Sequence, residues 1–289
     1  MISRRRLTAA TAVAVLAITA CGGEPAATTV PAAPTTIQPA QSSEPPTTAT
    51  TTVTTAAPTT SSAPTTTADP GAALGYTFRQ ITRAHEAASV SIIYPALIDL
   101  GDGAEERINS ALDEWAEQLA DEFVTDAVAS GAATASLLEV ELAPEVRSRS
   151  VFSVSGLQFE FDAESDFSTT RRVGWIFSIE GGSAVDAAGL FTDGSLDRLA
   201  AAAESHLVAD VLGDPDLVTA SAGLAPAAEN YDAVWLTPAG IAVGFDQYQV
   251  ADADAGSPAV LIPYTELADV LDLTGVLAAL EGDMLPAGL

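Results

Sequence analysis

The chain has 289 residues, with 39 acidic side chains against 11 arginines, no lysine, and a formal charge of −28. Such a surface repels phosphate backbones and is expected to exclude nucleic acid, while it attracts cationic proteins at rates that salt weakens. One cysteine and two histidines give the fold no disulfide framework and no common zinc site.

Residues 1–20 read as a leader. Arg4, Arg5 and Arg6 form a basic start, and Leu7 to Ala20 is an apolar run too short to span a bilayer comfortably. It closes on Leu16-Ala17-Ile18-Thr19-Ala20-Cys21, which resembles a bacterial lipobox. That resemblance implies that Cys21 is lipidated on sulfur and becomes the first residue of the mature chain. Several acyl chains on one residue suffice for stable anchoring, so the expected location is the outer face of the cell membrane. Residues 21–70 are Thr, Pro, Ala and Ser in low-complexity order. They carry too little apolar patterning to offset ordering entropy and predict a disordered tether, reaching up to ~150 Å at polyproline-like rise.

Residues 71–289 form the folded part, with an N-terminal half over 71–149 and a C-terminal half over 150–289. Much of its apolar content is alanine, so a tightly packed, alanine-rich core is expected. Tyr76 to Phe78 and Ala88 to Pro95 read as strands, with His85 between them as a solvated or structurally bonded residue. Asp102-Gly103-Ala104-Glu105 has the form of a capping box. The helix behind it carries Ile108, Leu112, Trp115, Leu119 and Phe123 on one face, with Asp113, Glu114, Glu117, Asp121 and Glu122 elsewhere. It ends at Ser130-Gly131.

Strands follow over 136–142, 150–161 and 173–180, with Gly181-Gly182 as a turn. A second long helix is predicted from Ser195 to Leu212, with Leu196, Leu199, Ala203, Leu207 and Val211 inward and His206 at the boundary. Ala233 to Leu236 and Ile241 to Phe245 make a hairpin around Thr237-Pro238-Ala239-Gly240, where proline presets φ and glycine suits the exit. Extended structure is expected to continue over Gln247 to Val250. A loop over 251–257, a buried strand over 259–262 and helical spacing over 265–271 complete the chain.

Nucleophilic catalysis needs a base beside the nucleophile; no Gly-x-Ser-x-Gly elbow occurs, and the two histidines stand on separate elements, which does not favour a Ser-His-Asp triad. Asp252-Ala253-Asp254-Ala255-Gly256 mimics half a calcium loop, but its glycine comes one position early and Pro263 stands where the closing glutamate belongs. A glycan hydrolase needs two placed carboxylates, and 39 acidic residues do not single out a pair. Exposed aromatics mark recognition surfaces, and Trp175, Trp235, Tyr248 and Tyr264 are the candidates for contact with protein or carbohydrate.

The order Tyr231-Asp232, Thr237-Pro238-Ala239-Gly240, Phe245-x-x-Tyr248-x-Val250, Gly256 and Ile262-Pro263-Tyr264-x-x-Leu267 resembles the extracytoplasmic C-terminal domain of RsiV-type anti-sigma factors. Ile93-Tyr94-Pro95 with Ile108-Asn109, and Ser178 to Gly182 with Gly189-Leu190-Phe191, extend the likeness over roughly 89–271. The resemblance implies an α+β fold, helices on antiparallel sheet, and the binding of a secreted lysozyme. The family's histidine before the central strand has no counterpart in Ser168 to Val173. A leader and tether stand where those proteins carry a sigma-binding segment and membrane helix, so an anti-sigma role is not expected.

The sequence therefore leads to a monomeric, non-enzymatic envelope lipoprotein without metal or cofactor, whose domain binds a cationic protein or a cell-wall fragment. Two alternatives stay open: a wall-glycan hydrolase or deacetylase-associated domain with an unidentified carboxylate pair, and a structural wall spacer.

Overall fold

The computed structural model describes residues 74–101, 103–148 and 150–280. The expected leader, Cys21, the tether and the Asp102 cap lie outside the described residues. The fold is α+β. A larger sheet runs β1 (Gly75–His85), β2 (Ala88–Ile98), β3 (Ser136–Arg147), β4 (Val151–Asp162), β5 (Phe167–Ser178) and β6 (Ser183–Val185), in that spatial order. Every neighbouring pair is antiparallel except β2 and β3. A parallel pair needs a long crossover, and α1 (Gly103–Ser130) supplies it.

β1 runs further than its apolar residues suggested, because two of its polar residues, Arg79 and Arg83, find acidic partners on α1. Ile81 is buried beneath α1, while Arg79 and Arg83 on the same face pair with Asp113 and Glu117. Residues four apart share one helix face, and a strand repeats its face every second residue, so the two charge rows meet in register. The Tyr94 hydroxyl donates to Asp113 at 2.8 Å. Burial and that acidic neighbour push the phenol pKa up from its ordinary value.

On α1, Ile108 and Leu112 are buried along with Ala104, Ala116 and Ala120, while Trp115, Leu119 and Phe123 pack half-buried on the same core. The alanines let the helix lie close on Val90, Ile92, Leu138, Val140, Phe152 and Val154. Asn109 is buried among them and clamps the β2 backbone: its amide accepts the Leu97 N–H at 2.8 Å and donates to the Leu97 carbonyl at 2.9 Å. Gly131, in the left-handed region at φ 66°, closes the helix.

The second core lies under a three-stranded sheet, β7 (Val234–Thr237), β8 (Gly240–Gly244) and β9 (Ala259–Pro263), all antiparallel. Its buried residues include Val234, Leu236, Ile241, Val243, Val260 and Ile262, closed by Leu199, Ala203 and Leu207 from the second long helix. That helix is α2 (Asp197–His206), continued by a π-helical segment, Leu207–Leu212. The π turn takes an extra residue and shifts the inward phase. Leu212 packs on the core where the helical repeat had placed Val211, and Val211 is 43 % exposed.

Two further expectations are corrected. The segment 247–250 is a turn, because Tyr248 takes φ 69° and reverses the chain. The closing helix is only the single turn α3 (Tyr264–Leu267). The two sheets meet where β7 packs on the face of β4 and β5 turned away from α1, and the Leu236 N–H donates to the buried Ser153 hydroxyl at 2.8 Å.

Candidate functional site

The four aromatic candidates fall in different surroundings. Trp235 is 7 % exposed and Tyr264 2 %, so both are core residues beyond a partner's reach. The Tyr264 hydroxyl donates to the Thr237 carbonyl at 2.9 Å, closing the hairpin onto α3, and its burial raises the phenol pKa. Trp175 is half-buried and meets Trp115 edge to face, with ring centroids 4.7 Å apart, as a contact between sheet and helix. Only Tyr248 is presented to solvent, at 46 % exposure.

Tyr248 does not stand alone. Phe167, at the start of β5 and 45 % exposed, stacks on it with centroids 6.0 Å apart and 25° between planes. The turn that carries Tyr248 is fixed on all sides. The Asp246 N–H donates to Gln249 Oε1 at 2.8 Å, and Gln249 Nε2 reaches the Asn230 carbonyl at 3.0 Å. The Gln247 N–H donates to the Thr170 carbonyl at 3.0 Å, the Thr170 N–H to Gln247 Oε1 at 3.1 Å, and the Arg172 N–H to Asp246 Oδ1 at 3.0 Å. These bonds pair the free edge of β5 with the turn. They also hold a tyrosine in the left-handed region, an arrangement that persists only where the surroundings over-determine it.

Carboxylates border the aromatic pair. Asp162 is the register partner of Phe167 across the β4–β5 hairpin, and Glu164 and Asp166 lie exposed in its tip. The Ser165 hydroxyl, donating to Asp162 at 2.6 Å, and the Glu164 N–H hold that carboxyl below the usual carboxylate range. Flat π-faces beside ionised carboxylates suit a guanidinium or ammonium group, which gains from both. Phe167 was missed from sequence because its neighbours Ser168, Thr169 and Thr170 gave the strand start no apolar pattern.

Other places resolve as structure. His206 sits between two carboxylates, with Nδ1 2.7 Å from Asp210 and Nε2 3.1 Å from Glu266. Carboxylates only accept, so both ring nitrogens donate and neither is left to activate a nucleophile. The Asp210 bond, assisted by Glu266 and opposed by burial, raises the imidazole pKa above its ordinary 6.5. The ring ties α2 and its π-helical extension to α3. A raised folded pKa contributes stability fully below the unfolded value and loses it as pH climbs through the folded one. His206→Gln is therefore expected to melt several degrees below the native chain at pH 5.5, with the gap narrowing by pH 9. A constant gap in calorimetry would contradict the assignment.

A shallow depression of about 390 Å³ at the start of α1 is lined by Arg79, Glu105, Glu106, Asn109, Ser110 and Asp113. Its main polar groups already serve the fold: Glu105 accepts the Leu100 N–H at 2.9 Å, Asn109 holds Leu97, and Arg79 pairs with Asp113. His85 accepts the Ala87 N–H at 3.1 Å and shapes the β1–β2 turn. Among the described residues, no group of three or more His, Cys, Asp or Glu is placed to hold a metal ion.

The family model for a protein of unknown function, DUF3298, matches residues 188–265. That stretch holds α2, its π-helical extension, the Tyr248 turn, the whole of the smaller sheet and the start of α3. No curated protein matches the chain. A crystal structure of a DUF3298 family member from Bacteroides fragilis is similar in fold, with TM-score 0.54 and 16 % identity over 69 % of this chain and 94 % of that one. A DUF3298 family protein from Pseudomonas aeruginosa is similar at TM-score 0.51 and 13 % identity, over 71 % of this chain and 97 % of that one.

Proposed function

We propose that the protein is a non-catalytic binding module, tethered to the outer face of the cell membrane through lipidated Cys21, whose partner is a cationic protein. The observation that carries this reading is the Phe167–Tyr248 stack, exposed and rigidly held beside Asp162, Glu164 and Asp166 on a chain of net charge −28. An arginine or lysine of the partner lies over the rings, and its charge is met by the hairpin carboxylates. The negative field of the whole domain speeds encounter and makes it sensitive to salt. The likeness of residues 231–267 to RsiV-type extracytoplasmic domains supports a basic, lysozyme-like partner.

The test is a titration of the full chain with a basic lysozyme at low and high ionic strength. Micromolar or tighter binding that weakens with salt is expected, with the Phe167→Ala/Tyr248→Ala double variant at least about tenfold weaker, since exposed anchor residues of this kind dominate binding energy. No binding at low salt, or equal binding by the double variant, would sink the reading.

A further inference from the structure

The larger sheet has two faces, and among the described residues only one is fully covered. α1 closes the face formed by Ile81, Val90, Ile92, Leu138, Val140, Phe152 and Val154. On the opposite face the smaller sheet covers the end at Ser153 and Gly174. The remainder is polar at Gln80, Thr82, Ser89 and Ser91 but carries apolar side chains over β3, β4 and parts of β1 and β2, where an open antiparallel face is ordinarily polar. Leu157 is 43 % exposed and Phe78 51 %, and Ile93, Leu137, Phe159 and Phe161 are half-buried.

This apolar strip is interleaved with acid. Strand register sets Glu141 directly opposite Leu157 and Glu139 opposite Phe159, so each pair shares the open face. Glu145 reaches the same face, accepting the Ser155 hydroxyl at 2.6 Å. Glu139, Glu141 and Glu145 are all exposed. The two cations at the margins are engaged elsewhere. Arg172 donates to the Ser257 carbonyl at 2.9 Å, and Arg147 lies 4.9 Å over the Tyr76 ring.

From this geometry we infer that the open face of β1–β4 is a docking surface for a basic amphipathic helix of another protein. A helix lays an apolar stripe on a pleated face, as α1 does on the opposite side of the same sheet. Its flanking lysines or arginines meet the glutamate row. Charge decides against the chain's own segments and a second copy. No arginine, lysine or histidine occurs between Leu7 and Phe78, no arginine or lysine follows Arg198, and the only run of three arginines, Arg4 to Arg6, belongs to the expected leader. A second copy would set one glutamate row against another. This surface is separate from the Phe167–Tyr248 stack, so the inference goes beyond the proposed function and does not rest on that site.

The test uses the full chain and a short helix-forming peptide of leucine and lysine, labelled for fluorescence anisotropy. Glu139→Gln/Glu141→Gln and Leu157→Ser are each expected to weaken binding about fivefold or more, and the double variant to flatten the salt dependence. Glu114→Gln and Val128→Ser, which remove one charge and one exposed apolar side chain from α1, serve as controls and bind like the native chain. Open-face variants that bind as tightly as the native chain would overturn the inference. So would a dimer in light scattering that Leu157→Ser dissolves, since a second copy would then be the occupant. Either outcome is distinct from failure at Phe167–Tyr248, which is read with a different probe and different residues.

Discussion

Asn109→Ala is expected to lower the unfolding free energy by about 2–6 kcal/mol, because it strands two buried backbone groups at roughly 1–3 kcal/mol each. Both groups belong to Leu97, itself 1 % exposed, and both reach Asn109 from inside the core. β2 pairs with β3 only as far as Ile93, so beyond it no strand partner on that side takes over the Leu97 bonds. Asn109→Leu separates the terms: it restores volume without hydrogen bonds and is expected to remain destabilised. Asn109→Asp adds a signature, since a protonated carboxyl both donates and accepts as the amide does. That variant should be severely unstable at pH 7 and partly rescued near pH 4. Denaturant melts showing Asn109→Leu as stable as the native chain would refute the role.

Gly174→Val is the second large effect, and it acts on the joint between the two sheets. A β-carbon at Gly174 would lie 2.8 Å from the Trp235 ring and 3.2 Å from the Val234 backbone. The ring is packed and the backbone belongs to β7, so neither yields easily. Overpacking of this kind costs about 1–3 kcal/mol or more, corresponding to roughly 2–12 °C in Tm for a domain of this size. Trp235→Phe should recover part of the loss by vacating ring volume, which a thermal melt of the double variant would register. An unchanged Tm in Gly174→Val would mean the sheets do not meet as described.

Much of the fold was legible because period and punctuation agreed. The hairpin around Thr237 to Gly240, the stripe of α1 and the turn at Gly181-Gly182 each combine a regular apolar repeat with a residue that forces the break. Legibility failed where a residue's role depended on a distant neighbour. β1 read short because Arg79 and Arg83 are polar, although they pair at the surface with acids supplied by α1. Val211 was misplaced because a π turn leaves no mark in an apolar repeat.

The site divided in the same way. Four aromatics stood out by type, but type does not say which are covered. Tyr264 fills the smaller core and Trp235 is packed against Gly174 between the sheets, while Tyr248 is exposed because its backbone takes a conformation that the apparent strand pattern of 247–250 concealed. Its stacking partner Phe167 is brought to it by tertiary contacts that tie the turn to the edge of β5. The apolar face of β4 was visible as Leu157 and Phe159 on one side of the strand. That the smaller sheet stops short of covering it is a fact of packing alone.

Capture of a cationic partner outside the cell requires this acidic body to be held there by its N-terminus. Intact-mass and peptide mass spectrometry of the native protein, taken from membrane and soluble fractions, tests that most directly. It should recover from the membrane a chain that begins at acylated Cys21. A full-length chain retaining Arg4 to Arg6, with a free Cys21 thiol in the cytosolic fraction, would contradict it.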